Sequence, residues 1–590
     1  MVKQGNEAIR NYYSQLEIQG KDYLYEAKML IVGEGGAGKT TLAHKIEDIN
    51  CYLPDEDDRT RGISINPHTF SVRARNEGEY RQFDLNVWDF GGQEIYHATH
   101  RFFLSKRSLY VLVADNRKDD TDFNYWLNII ELFAKDSPII IVLNEKDDLK
   151  RIINTSELRI RYPDSLKEIL SVNLKTQEET DSNKRQQRLK DLETLIRHIE
   201  HNANCLPHIG EPVPARWVDV RQAIETDTRD YISRQEFDTI CHAHGITNFQ
   251  DINTLLGYFH DLGIVLHFAD HPLLCERVIL KPTWATDAIY RLFDDDGIKA
   301  KQGRFTREDC TSLWSDQQYQ YMQNTLTELM KKFRLVYEIE QTGQLVAPQM
   351  LPPNTPDYPW ENSNNSLMQF RYDFFMPKGI FWQFVVTMYR YIEDHRWVWK
   401  NGVILHYKGT RAEIIENLFD RRIYIRFSGR NIEQLRSIVS FQLDEISESY
   451  HKLKYDKMIP CNCRKCVIEK EPHFYEFTDL ETRLQREKQT VECKKSYDDV
   501  PVANLLKGFD FSSQPIDRLE LLKLLTNLVK EQFNDILFVI DPPAGIVPPP
   551  IASQSDRVHA LLTWAESPTG CKLAKIQASL KRILPESFNE

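Results

Sequence analysis

The sequence predicts a doubly wound, mostly parallel α/β domain first, a two-part α+β region after it, and a small helical bundle last. Three observations carry that prediction. A glycine-rich loop joins a strand-like apolar run to a helix start early in the chain. Strand and helix signals then alternate up to residue 204, the pattern of a parallel sheet with crossover helices. Beyond it come mixed, turn-punctuated elements, and from residue 517 apolar residues recur at helical spacing.

The loop is Gly33-Glu34-Gly35-Gly36-Ala37-Gly38-Lys39-Thr40, which meets the pattern G-x-x-x-x-G-K-[ST] at every fixed position. Met29-Leu30-Ile31-Val32 leads in as a buried strand, and Thr41-Leu42-Ala43-His44-Lys45-Ile46 leads out as a helix. Glycines let successive N–H groups wrap a polyphosphate without Cβ clashes, and the helix N-terminus adds partial positive charge. Gly35, Gly36, Ala37, Gly38 and Thr41 are the expected cradle. Lys39 would reach the β- and γ-phosphates, and the Thr40 hydroxyl would bind Mg²⁺.

Composition narrows the class. At 590 residues the chain exceeds one core and suggests roughly three to five domains. A net charge of −12 argues against a general nucleic-acid binder. No apolar run approaches the ~20 residues of a membrane helix, so no membrane span is expected. Met1-Val2-Lys3-Gln4-Gly5-Asn6 lacks the apolar core of a signal peptide. Of ten cysteines, six are scattered and four fall within 461–493. That pattern suggests a reducing, cytoplasmic setting with one metal site, not a disulfide framework.

Residues 1–27 read as a polar lead-in helix. After the loop, Asp55-Glu56-Asp57-Asp58-Arg59-Thr60-Arg61-Gly62 is acidic and turn-prone. Thr60 stands where a switch threonine would complete a Mg²⁺ shell, and Arg59 and Arg61 are candidate charge-stabilising cations. The strand Phe83-Asp84-Leu85-Asn86-Val87-Trp88 ends in Asp89-Phe90-Gly91-Gly92-Gln93. Asp89 would hold Mg²⁺ through water, the Gly92 N–H would detect the γ-phosphate, and Gln93 would orient the attacking water. This order, one strand after a phosphate loop, signals a Ras-like GTPase using GTP/GDP and Mg²⁺.

Base recognition is less regular. The strand 138–143 ends in Asn144-Glu145-Lys146-Asp147, against the GTPase pattern Asn-Lys-x-Asp. Asn144 and Asp147 match, and Asp147 would accept bonds from guanine that adenine cannot donate. Glu145 departs from the lysine. Ser171-Val172-Asn173-Leu174-Lys175 occupies the place of a second base loop. There the Leu174 N–H would meet the base oxygen and Lys175 would cover its face.

The run Asp89-Phe90-Gly91-Gly92-Gln93-Glu94-Ile95-Tyr96-His97-Ala98-Thr99-His100 resembles the Roc GTPase of prokaryotic Roco proteins. The resemblance implies a COR domain immediately after it, and homodimerisation through the second COR half. Many relatives carry leucine-rich repeats before the GTPase. Here 27 residues precede its expected start at 28, and no repeat period is visible.

The expected GTPase domain spans 28–204, and a proline-punctuated boundary follows. The first COR half is expected over 205–360. Ser233-Arg234-Gln235-Glu236 is a capping box opening a helix. Ile264-Val265-Leu266-His267-Phe268 and Arg277-Val278-Ile279-Leu280 read as the strand pair of a wing. Such folds often bind DNA, but the acidic Phe293-Asp294-Asp295-Asp296 favours a protein-packing module. Val278-Ile279-Leu280-Lys281-Pro282-Thr283-Trp284-Ala285 resembles the first COR half.

The second half, 361–508, is aromatic-rich and α+β. Lys400-Asn401-Gly402-Val403 signals a tight hairpin. Arg422-Ile423-Tyr424-Ile425-Arg426-Phe427 alternates as a half-buried strand, and a helix over 431–449 follows. Cys461-Asn462-Cys463-Arg464-Lys465-Cys466, with distant Cys493, has the spacing of a structural Zn²⁺ site, with His473 as the rival fourth ligand.

A linker over 509–516 leads to a helical bundle over 517–590, which resembles effector-associated adaptor domains and would bind a partner protein. The reading is thus a GTP-hydrolysing molecular switch. Two alternatives stay open: an ATP-driven switch of the same superfamily, motivated by Glu145, and a weakly hydrolysing scaffold.

Overall fold

The structure is a computed structural model. It describes residues 6–54, 63–73, 79–91, 107–117, 123–134, 137–149, 153–360, 366–430, 432–450, 453–469, 472–506, 518–540, 542, 545–549, 552–566, 573, 576 and 579–580.

The first sheet has six strands: β1 (Glu26–Val32), β2 (Ile63–Arg73), β3 (Tyr80–Phe90), β4 (Ser108–Asp115), β5 (Ile139–Asn144) and β6 (Leu166–Val172). Their order is β2-β3-β1-β4-β5-β6. All pairs are parallel except β2 with β3. The apolar runs of β1, β4 and β5 are buried along their whole length because helices cover both faces. Alternation along β1 divides two cores. Met29 and Ile31 join Leu42 and Ala43 of helix α1 (Lys39–Glu47), and Leu195 and Ile199 of the long helix Ser182–Asn204. Leu30 and Val32 face the other way, with Trp126, Leu127 and Ile130 of helix Phe123–Ala134.

That second core does not stop at the sheet. It runs on through Leu266, Trp284, Ala288, Phe293 and Trp314, so the face of the α/β unit is covered by the following region. The lead-in helix Asn6–Gln19 also packs forward in sequence. Tyr12 Oη donates to Pro212 O at 2.6 Å, and Trp217 Nε1 donates to Gln15 Oε1 at 3.2 Å. Lys21–Tyr23 pairs antiparallel with Pro212–Pro214.

The next region runs helix, strand, helix, helix, strand: Ala215–Glu225, Tyr231–Ser233, Arg234–Ala243, Phe249–Asp261 and Arg277–Ile279. This is a winged-helix-like order. Ser233 and Glu236 form the capping box read from the sequence. The wing differs in detail. Leu266 and Ile279 exchange N–H···O bonds of 2.9 Å, but the ladder partner of Arg277–Ile279 is Tyr231–Ser233. The segment after Leu266 leaves after one pair because it folds on itself, with His267 Nε2 lying 3.0 Å from Cys275 O.

The second half of the middle region centres on a seven-stranded antiparallel sheet. Its order is Val398–Trp399, Gly402–Tyr407, Thr410–Asn417, Arg422–Gly429, Ser366–Tyr372, Tyr455–Pro460 and Phe474–Glu476. Helices Ile380–Thr387 and Ile432–Glu448 pack against it, burying Phe381, Phe384, Leu435, Val439, Leu443 and Ile446. In the predicted hairpin Gly402 pairs with Trp399, and a Cβ there would lie 1.9 Å from the indole. Close approach of the ring therefore requires glycine.

Beyond residue 517, helices Arg518–Thr526, Lys530–Ile540 and Gln554–Glu566 share a core of Leu521, Leu525, Phe533, Ile536, Val558 and Leu561. No helix among the described residues is long and apolar enough to cross a membrane.

Candidate functional site

The glycine-rich loop leaves the carboxyl end of β1, flanked by β3 and β4. This is the point in an open α/β sheet where strand order reverses and ligands bind. Two of its glycines are geometrically forced. Gly33 has φ 139°, and a Cβ there would lie 2.2 Å from Val113 O. Gly38, the N-cap of α1, has φ 104°, and a Cβ would lie 2.5 Å from Asn144 Nδ2. Ala37 is buried, whereas Gly35 and Gly36 are exposed along the loop.

Lys39 folds back across the loop. Its Nζ donates to Gly33 O at 3.0 Å and Glu34 O at 2.9 Å. Burial pulls its ammonium down to about 8, against opposing pulls from Asp89 and Glu34. Thr40 Oγ1 donates to Asp89 Oδ2 at 2.7 Å. Parallel register sets Asp89 beside Ile31 at the end of β1, and this is what brings the hydroxyl and the carboxylate together. A hydroxyl and a buried carboxylate beside a lysine and a loop of N–H groups fit Mg²⁺, which favours oxygen ligands and keeps several waters.

The ends of β5 and β6 close the other side. Asn144 Nδ2 donates to Ala37 O at 2.9 Å. Lys146, not Glu145, reaches the loop: its Nζ donates to Gly36 O at 2.6 Å and lies 3.3 Å from Asp115 Oδ2. Arg117 holds Asp115 through Nε and Nη2 and reaches Asp147 Oδ2 with Nη1 at 3.1 Å. Burial pushes the Asp115 carboxyl up, but Arg117 and Lys146 more than offset it, leaving it below its ordinary range.

Asp147 and Asp148 both have φ 56°, in the left-handed region. The Asp147 side chain is 66% exposed. Asp148 faces the β6 loop instead, accepting from Asn173 Nδ2 at 3.0 Å, Arg188 Nη2 at 2.6 Å and Lys184 Nζ at 3.1 Å. Lys184 first, and then Arg188, hold the Asp148 carboxyl low. Arg188 Nη1 also donates to Lys175 O at 2.7 Å, and Leu174 is buried.

The structure therefore brings together Gly35, Gly36, Ala37, Gly38, Lys39, Thr40, Thr41, Asp89, Asn144, Leu174 and Lys175, with Asp147 at the rim. Thr60, Arg59, Arg61, Gly92 and Gln93 lie outside the described residues. Sequence reasoning missed Lys146, Arg117, Asp148, Asn173 and Arg188. One signal was present: Asn144-Glu145-Lys146-Asp147-Asp148 is the expected motif with one residue added after the asparagine.

Elsewhere in the chain, the Sγ atoms of Cys461, Cys463, Cys466 and Cys493 all lie within 4.8 Å of one another, and all four residues are buried. His473 offers this cluster its backbone N–H, to Cys466 Sγ at 3.4 Å, and its ring packs on Tyr475.

The sheet order and the loop define a phosphate-loop nucleotide-binding protein of the Ras type. Comparison with known proteins extends this. Residues 28–147 match the model of Roc (Ras of Complex, Roc, domain of DAPkinase). Residues 214–351 match the COR-A domain, C-terminal of Roc, and residues 363–508 match the COR-B domain, C-terminal of Roc. The chain has the Roc–COR architecture of Roco proteins. Among curated relatives, a "Roc-COR-CHAT protease" of Runella zeae is 27% identical over 457 residues, 74% of this chain and 47% of its own length. A "Probable serine/threonine-protein kinase pats1" of Dictyostelium discoideum is 27% identical over 517 residues, 81% of this chain and 16% of its own. The chain thus spans less than half the length of these two relatives. A solved structure, Methanosarcina barkeri Roco2 RocCORdC bound to GDP, covers 56% of this chain and 98% of its own, at 29% identity and a TM-score of 0.47.

Proposed function

We propose that this chain binds GTP and GDP, hydrolyses GTP to GDP, and acts as a nucleotide-dependent switch that dimerises through its second COR half. The observation that carries the reading is the cluster Lys39, Thr40 and Asp89, joined to the β5 end by the Asn144 bond to Ala37. Its parts suit phosphoryl transfer, where catalysis is mostly positioning and charge stabilisation. Lys39 exchanges its two carbonyl partners for phosphate oxygens. Thr40 and Asp89, with Thr60, would hold Mg²⁺, which supplies charge neutralisation on the phosphates when bound. Gln93 orients the water that attacks the γ-phosphate, and Gly92 senses that phosphate. Arg59 and Arg61 are the candidates for a stabilising cation, worth ~10³–10⁵ in rate where one is supplied.

For the base, the spacing in the sequence favours Asp147, but a specific geometry favours Asp148. Lys146 takes the loop-bracing place of the expected lysine, and Asn173 of the second base loop bonds Asp148. On that reading Glu145 is an inserted residue, and the guanine contacts are Asn144, Asp148, the Leu174 N–H and Lys175. Exchanging the base-reading carboxylate for an amide turns an acceptor into a donor. Asp148→Asn should then trade guanine for xanthine nucleotides, and Asp147→Asn should not. The C-terminal helices are the candidate docking unit for a partner protein. Turnover tests the enzyme reading: Gln93→Leu should abolish most hydrolysis while leaving binding intact. Equal, negligible turnover in both proteins would favour the scaffold instead.

A further inference from the structure

We infer that Cys461, Cys463, Cys466 and Cys493 are the ligands of one structural zinc ion that fastens the hairpin 490–501 to the outer edge of the COR-B sheet. The inference is independent of the nucleotide site.

The sulfur geometry is the first argument. Four thiolates around Zn²⁺ sit ~2.3 Å from the metal at tetrahedral corners, so their mutual separation is about 3.8 Å. Here Cys463 Sγ lies 3.8 Å and Cys466 Sγ 3.6 Å from Cys493 Sγ, and all pairs fall within 4.8 Å. Disulfides need ~2.05 Å, so the sulfurs are at ligand spacing and not at bonding distance. All four also belong to the apolar core of this region, but apolar packing alone does not require four sulfurs at ligand spacing.

The second argument is what surrounds the sulfurs. Four backbone N–H groups donate to them at 3.4 Å: Cys463 to Cys461, Cys466 to Cys463, His473 to Cys466, and Lys495 to Cys493. Two hydroxyls join in. Ser496 Oγ donates to Cys463 Sγ at 3.3 Å, and Tyr475 Oη donates to Cys461 Sγ at 3.5 Å. Each sulfur thus accepts at least one donor. Such a shell offsets the negative charge of a tetrathiolate centre and orients its ligands, the task of a metal site's outer partners. A set of neutral thiols would not need it.

The third argument is placement. Cys461, Cys463 and Cys466 follow directly on strand Tyr455–Pro460, and the chain returns as the edge strand Phe474–Glu476. Cys493 comes from a hairpin, Thr490–Glu492 with Asp499–Pro501, whose strands, among the described residues, pair with each other and with no other strand. Among the described residues no ladder joins this hairpin to the seven-stranded sheet. A metal bound by both segments is therefore a cross-link across 30 residues of chain, from Cys463 to Cys493. It holds the last part of COR-B, just before the chain passes to the C-terminal helices.

Elemental analysis of the dialysed full chain should find about one zinc per protein. Cys463→Ser and Cys493→Ser should each lose it, while Cys241→Ser, a buried cysteine elsewhere, should keep it. Should the serine variants fail to fold, the wild-type chain still answers. Stripping the thiolates with a mercurial in the presence of a chromogenic zinc indicator should release the ion. Hydrogen exchange should then rise in 461–476 and 490–501, with the six-stranded sheet unchanged. Protein that carries no metal, that carries iron, or that keeps its zinc in both serine variants would overturn the inference.

Discussion

Arg221→Ala tests how the nucleotide-binding unit is tied to COR-A. Glu26 begins β1, the strand that leads into the glycine-rich loop, and its side chain is 9% exposed. Arg221, from helix Ala215–Glu225, grips it with two bonds of 2.8 Å, Nε to Oε2 and Nη2 to Oε1. Asn86 Nδ2 adds a third at 2.8 Å. Removing the guanidinium leaves a buried carboxylate with one neutral donor, a loss of about 3–5 kcal/mol for a pair so placed. An exposed pair would lose ~1 kcal/mol or less. Replacing both partners with apolar groups, Glu26→Leu with Arg221→Met, should cost much less than either single truncation. A chain with several cores does not unfold in one step, so the readout should be local. Amide exchange along β1 reports its opening free energy, and wild type, Glu26→Leu, Arg221→Met and the double variant form a double-mutant cycle. A loss below ~1 kcal/mol in Arg221→Ala, or strict additivity in the cycle, would refute the claim that this bond joins the two units.

Lys146→Ala should weaken nucleotide binding by roughly tenfold, since it removes one charge-assisted brace on the loop; titration calorimetry reads this, and Glu145→Ala should have little effect. Nucleotide binding should take up protons near pH 8. Burial holds the free Lys39 ammonium at about 8, and phosphates beside it would raise that value, so affinity should fall as pH rises through 8 in buffers of differing ionisation enthalpy. Burial raises the Glu416 carboxyl from 4.5 to about 8. A raised folded value means its stabilising contribution is complete below 4.5 and is lost as pH rises through 8. Glu416→Gln should flatten that slope and be more stable at alkaline pH by no more than roughly 5 kcal/mol, as read by denaturant melts of COR-B at a series of pH values.

What was legible in the sequence was local or strictly periodic. The loop residues 33–40 announce themselves because each fixed position answers a nearby constraint, and Asp89 and Asn144 lie at strand ends that an apolar run makes plain. The Ser233 capping box spans four residues and needs no tertiary knowledge. Lys146 was missed because its partner, Gly36 O, lies 110 positions away. Motif spacing assigned the lysine position to Glu145 instead. The same limit hid the shared core. Trp284 reads as a helix residue of the next region, and nothing in its periodicity says that it packs in one core with Trp88 and Leu112 of the sheet. The wing was half legible, since pairing propensity marks Leu266 and Ile279 but cannot say that Tyr231–Ser233 competes for the ladder. The cysteine spacing suggested a metal and named Cys493 with His473 as the rival fourth ligand; the fold puts the Cys493 sulfur beside the other three.

The most direct measurement is competition of GTP, GDP and ATP for a fluorescent guanine nucleotide on the purified chain with Mg²⁺. The account predicts that GTP and GDP displace the probe and ATP does not, because a carboxylate at the β5 end reads guanine despite Glu145. Displacement by ATP as good as or better than by GTP would contradict it, and the protein would then be an ATP switch that shares only its phosphate chemistry with the GTPases.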